Sequence, residues 1–171
     1  MMDFGQTKLT CANYFLMPGY IFAPDVPTVI SSVLGSSVSV CLFDRKRNMG
    51  GMNHFLVPLA QKAQNLTPRF GNVATLALIR LMIQAGSTKR HLEAQILGGA
   101  CDPERCSKDV GAENVRVARR VLMREGIRVV SEDTGGEKGR KIVFNTGTNE
   151  VAVLKVDRLR KGDWYPYEGD R

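Results

Sequence analysis

From Ser36 to Phe43 hydrophobic and polar side chains alternate, with Val38, Val40 and Leu42 on one side and Ser37, Ser39 and Cys41 on the other. That period of two predicts a strand with one apolar face. Asp44 to Gly51 supplies charge and paired glycines and predicts a turn. Asn53 to Val57 then predicts a second strand, stopped by Pro58, and residues 59–71 a polar connection. From Asn72 to Ala85 apolar residues recur at helical spacing and almost all round, which predicts a deeply packed helix. Asn72 is its expected N-cap and Gly86 its expected stop.

Leu92 to Leu97 predicts a third strand, closed by Gly98-Gly99. A second helix is expected from Ala112 to Glu125, with Val115, Ala118, Val121 and Leu122 inward, four arginines outward and Gly126 as its stop. Ile127 to Ser131 follows as a strand. Arg140–Asn145 and Glu150–Val156 flank Thr146-Gly-Thr-Asn149 and predict a hairpin. Strands outnumber helices without regular alternation, so the expected class is α+β, two long helices covering one side of sheet structure. With no repeat or low-complexity segment, residues 1–171 are expected to form one domain, with a flexible charged tail over 157–171 that contains Trp164-Tyr-Pro-Tyr167.

Composition removes several classes. With 43% hydrophobic and 24% charged residues the chain is neither disordered nor fibrous. Apolar stretches break within about ten residues, short of the ~20 that cross a bilayer. Asp3 and Pro18-Gly19 around a short apolar run argue against a signal peptide, so the cytoplasm is the expected address. The net charge of +7 is spread evenly, with seven basic and three acidic side chains over residues 1–88 and seventeen and fourteen over residues 89–171. No basic patch emerges, and no nucleic-acid partner is expected.

The reactive side chains are few: Cys11, Cys41, Cys101, Cys106, His54 and His91. Cys101-x4-Cys106 has no second ligand pair at a zinc-site spacing, so no metal is expected. Gly135-Gly136-x-x-Gly139 lacks the Lys-Ser/Thr ending of a phosphate loop and precedes a strand. Hydroxyls cluster at Ser31, Ser32, Ser36, Ser37 and Ser39, with His54 after the turn. The pattern alone does not bring a serine to His54: were His54 at the start of its strand, the start of the preceding strand would lie opposite the far end.

Leu34-Gly-Ser-Ser-Val-Ser-Val-Cys-Leu-Phe-Asp44 and Gly50-Gly-Met-Asn-His-Phe-Leu-Val-Pro58 closely resemble the signature of the CheD family of chemoreceptor glutamine deamidases. Tyr14–Gly19, Leu92–Ala100, Val110–Val115 and Glu125–Gly136 resemble it as well, in the same order, over roughly residues 14–156. The resemblance implies an α/β/β layered sandwich and a Cys–His amidohydrolase that converts receptor glutamine to glutamate without metal or organic cofactor. Implied partners are chemoreceptor cytoplasmic helices and a CheC-like phosphatase. The family histidine maps to His54, the nucleophile to Ser37 and a hydroxyl six residues earlier to Ser31.

Here the chain departs from the family pattern, for Ser37 stands where the family has cysteine. A thiol gives its proton to a neighbouring imidazole readily; an alcohol does not. The expectation is therefore a deamidase centre inactivated or impaired at Ser37, whether by engineering or by natural loss. The alternative is a noncatalytic chemotaxis adaptor. His54 is expected to activate the nucleophile and protonate departing ammonia, Ser31 to orient the imidazole or the substrate amide, and backbone amides around Ser36–Ser37 to hold the oxyanion.

Overall fold

The computed structural model describes residues 11–60 and 66–158. The aromatic tail segment Trp164–Tyr167 lies outside them, as does part of the polar connection before the first helix. Among the described residues the strands are β1 (Ala12–Phe15), β2 (Tyr20–Phe22), β3 (Thr28–Leu34), β4 (Val38–Asp44), β5 (Met49–His54), β6 (Leu92–Gly98), β7 (Arg128–Thr134), β8 (Gly139–Asn145) and β9 (Val151–Val156). The helices are α1 (Gly71–Gln84) and α2 (Val110–Arg124). One sheet has the order β1-β3-β8-β9, the other β2-β5-β4-β6-β7.

The layering follows from which faces are apolar. Both helices pack on the five-stranded sheet, and Leu78, Ile79, Val115 and Leu122 meet Val38, Val40 and Leu42 there in one core. On the other side of that sheet Cys41, Met52 and Leu97 meet Ile30, Leu34, Ile142 and Phe144 of the four-stranded sheet. The result is an α+β fold in three layers, α/β/β. Every residue of β4 is buried. The Ser39/Cys41 face expected to be the polar side of a half-buried strand is a second interior, because a central sheet has no solvent face.

The main correction concerns β5. The glycines expected in a turn lie within the strand, and the strand expected at Asn53–Val57 runs instead from Met49 to His54. The turn is confined to Arg45–Asn48, where Asp44 Oδ1 accepts from the N–H groups of Lys46 and Arg47 and Asn48 takes φ 51°. Gly50 and Gly51 are there for contact. A Cβ on Gly50 would lie 2.8 Å from both Leu42 O and the Phe144 ring, and one on Gly51 would lie 3.0 Å from a Leu78 methyl.

Other boundaries moved less. The N-cap of α1 is Phe70, while Asn72 turns its Oδ1 to Ala60 N–H. Helix α2 begins two residues earlier than expected, at Val110, after the N-cap Asp109, whose side chain accepts from Ala112 N–H. Strands β1, β2 and β3 had not been expected; the first two are short pieces at sheet edges.

Candidate active site

Shortening the turn places His54 at the end of β5, and β4 and β5 pair antiparallel. The end of one then lies beside the start of the other, and Val38 exchanges backbone hydrogen bonds with Phe55 (3.1 and 3.0 Å). Ser37 and His54 are each one residue from that pair. Along β5, His54 shares a face with Met52, which belongs to the core between the sheets. Ser37 shares its side of the chain with Ser39 and Cys41. The two side chains converge, and Ser37 Oγ lies 2.8 Å from His54 Nε2.

The other ring nitrogen is held from the opposing sheet: His54 Nδ1 lies 2.8 Å from Ser32 Oγ, and Ser32 Oγ lies 2.7 Å from the Leu16 carbonyl. A hydroxyl has one proton, and a carbonyl can only accept. Ser32 therefore donates to Leu16 O and accepts from Nδ1–H. That leaves Nε2 with its lone pair, facing the Ser37 hydroxyl as an acceptor. His54 is fully buried, and burial lowers its pKa to about 4, outweighing the raising effect of the Leu16 carbonyl. The imidazole is neutral at neutral pH, as this tautomer requires.

Of the expected residues, Ser37 and His54 are in contact and Ser31 is not part of the chain of hydrogen bonds. Side chains alternate along β3, so Ile30, Ser32 and Leu34 face the inter-sheet core while Ser31 faces the other way. Sequence reasoning missed Ser32. Its signal was there: Ser32 lies midway between Ile30 and Leu34 at a period of two, readable once that segment is taken as a strand. Cys41 is no substitute nucleophile, since burial raises its thiol pKa far above the ordinary range. Among the described residues no group of three or more His, Cys, Asp or Glu side chains could hold a metal ion.

The backbone around Ser37 is fixed from three sides. Ala100 N–H donates to Gly35 O at 2.9 Å, and Gly99 N–H to Ser37 O at 2.9 Å. Between them Asn114, fully buried on α2, donates from Nδ2 to Ser36 O at 2.9 Å and to Leu56 O at 3.0 Å. Close approach makes this possible. Gly98 has φ 106°, and a Cβ there would sit 2.3 Å from Ser37 O. Ser37 itself retains 6% exposure and Ser36 is exposed, so the loop forms the mouth of the site.

The family model described as CheD chemotactic sensory transduction matches residues 57–155. A protein of Sulfurimonas denitrificans is 34% identical over 147 residues, covering 84% of this chain and 94% of its own. One of Trichlorobacter lovleyi is 39% identical over 82% of this chain and 89% of its own, and one of Rhodospirillum rubrum 40% identical over 83% and 81%. Each of the three is named a probable chemoreceptor glutamine deamidase CheD. With matches of this length and identity, the chain belongs to the CheD family.

Proposed function

We propose that this protein carries the active centre of a glutamine deamidase for methyl-accepting chemotaxis receptors, impaired by Ser37 at the nucleophile position. The observation that carries the reading is the 2.8 Å contact between Ser37 Oγ and the unprotonated Nε2 of His54. In the reaction His54 takes the nucleophile's proton, and the nucleophile adds to the glutamine carboxamide carbon. The tetrahedral oxyanion collapses, His54 returns the proton to the departing nitrogen, and ammonia leaves. Water, activated by the same imidazole, then hydrolyses the acyl intermediate to glutamate. Ser32 holds the imidazole in the required tautomer, the part expected of Ser31.

A carboxamide is a poor electrophile, and the step needs a strong nucleophile. A thiol supplies one; an alcohol beside an imidazole of depressed basicity does not. That contrast favours a second reading from another class, a noncatalytic adaptor that binds receptor helices and a CheC-like phosphatase in the cytoplasm. No described helix is long and apolar enough to cross a membrane.

The deciding experiment compares the unsubstituted protein with Ser37→Cys on a receptor cytoplasmic fragment, read by intact mass. Ser37→Cys is expected to convert specific glutamines to glutamate, and the unsubstituted protein to convert few or none. A folded Ser37→Cys protein that binds the fragment and leaves its mass unchanged would remove the deamidase reading and leave the adaptor.

A further inference from the structure

The loop Gly35–Ser37 is held by its carbonyls. All three accept a hydrogen bond: Gly35 O from Ala100 N–H, Ser36 O from Asn114 Nδ2 and Ser37 O from Gly99 N–H. The N–H groups of Ser36 and Ser37, by contrast, donate to no acceptor among the described residues. In a trans peptide the C=O and the following N–H point in opposite directions. Whatever grips Ser36 O therefore aims Ser37 N–H.

The grip is a buried side chain whose orientation is unambiguous. Turning the Asn114 carboxamide over would set its oxygen against the carbonyls of both Ser36 and Leu56, with no proton between them. Its own Oδ1 is buried without a partner. An unpaired buried carbonyl carries a desolvation cost, so this carboxamide is not arranged to satisfy itself. Its two donated bonds tie the peptide before Ser37 to the backbone two residues beyond His54. Helix α2 is pressed against the same place, for a Cβ on Gly111 would lie 2.4 Å from Gly99 O and 2.6 Å from Ala100 O. Asn114 stands one helical turn further on.

We infer that Asn114 is a positioning residue, whose carboxamide holds the Ser36–Ser37 peptide so that Ser37 N–H donates to the oxyanion formed on the substrate carboxamide. The inference rests on Ser37 as the nucleophile position. Its test separates the oxyanion from the nucleophile, using Ser37→Cys as the parent protein and two reagents. With p-nitrophenyl acetate the thiolate adds to a carbonyl, an oxyanion forms, and the C–O bond breaks as p-nitrophenolate leaves. With iodoacetamide the C–S bond forms as iodide leaves, and no oxyanion arises.

Asn114→Ala in that parent is expected to slow acylation roughly 10- to 100-fold, as for a displaced oxyanion donor, while alkylation changes little. Asn114→Asp keeps the shape but cannot donate when ionised. It should show the same split at neutral pH and recover toward the parent's acylation-to-alkylation ratio as the carboxyl protonates. This second variant carries the test if Asn114→Ala does not fold. Equal losses with both reagents, or no loss with either, would overturn the role. The outcome is independent of turnover on receptor. A parent that acylates with the expected Asn114 split yet leaves receptor glutamines unchanged refutes the deamidase reading alone. A parent that deamidates without the split refutes the Asn114 role alone.

Discussion

Ser31 and Ser32 are adjacent, chemically identical and unequal. Only Ser32 faces the imidazole, so in a Ser37→Cys background Ser32→Ala should lower deamidation by roughly 10- to 100-fold through loss of tautomer and orientation. Ser31→Ala should change it little. Steady-state rates for the two variants, with melting curves as a control on folding, make the comparison. His54 gives a second prediction. Its folded pKa of about 4 lies below the ordinary 6.5, so between those values the unfolded chain binds a proton that the native protein refuses. Stability is therefore full above about pH 6.5 and falls as pH drops toward 4, by roughly 3 kcal/mol in all. Urea titrations at a series of pH values should show this slope, and His54→Gln should flatten it. Carboxylates such as Asp133, where burial is outweighed by Arg140 and Lys155 and the pKa lies below the ordinary carboxylate value, add their own losses only at lower pH.

At the scale of the element, the β4–β5 hairpin decides the geometry, and its glycines decide the hairpin. Gly50→Ala should destabilise by about 1–3 kcal/mol, because the added methyl meets Leu42 O, a backbone atom that cannot swing aside. A shift of the urea midpoint at unchanged slope would register it. The same pair marks where sequence reading succeeded and failed. Helices α1 and α2 were legible from periodicity, and β4, β6, β8 and β9 from apolar alternation and turns. Gly50-Gly51 read as a turn because glycine serves both tight turns and close contact, and only the positions of Leu42, Phe144 and Leu78 tell which applies. Strands β1 and β2 are three or four residues long and leave too little alternation to read. The resemblance singled out Ser37 and His54, which the structure sets in contact; the places of Ser32 and Asn114 depend on which strand face and which helix turn meet across the layers.

At the scale of the molecule, the two interiors have different tasks. The helix-side core is continuous apolar packing, whereas the inter-sheet core opens at one end into the Ser32–His54–Ser37 chain. The exposed Ser36 loop lies there, so on the proposed reading a receptor helix presenting a glutamine would cover that end. If a CheC-like phosphatase binds the same end, a receptor peptide containing a target glutamine should displace it. A titration in which both bind without mutual weakening would place the partners on separate surfaces.

The unbroken hydrogen-bond chain has an evolutionary meaning. A hydroxyl donates to a buried imidazole more strongly than a thiol does, so serine at position 37 leaves no polar atom of the chain wanting. Ser37→Cys should therefore melt no higher than the unsubstituted protein, even as it gains reactivity. Selection for stability alone would then never restore the thiol, and a lineage that needed only the binding surface could keep the serine indefinitely. Serine and cysteine at this position differ by one atom, and on the proposed reading only demand for turnover would separate them.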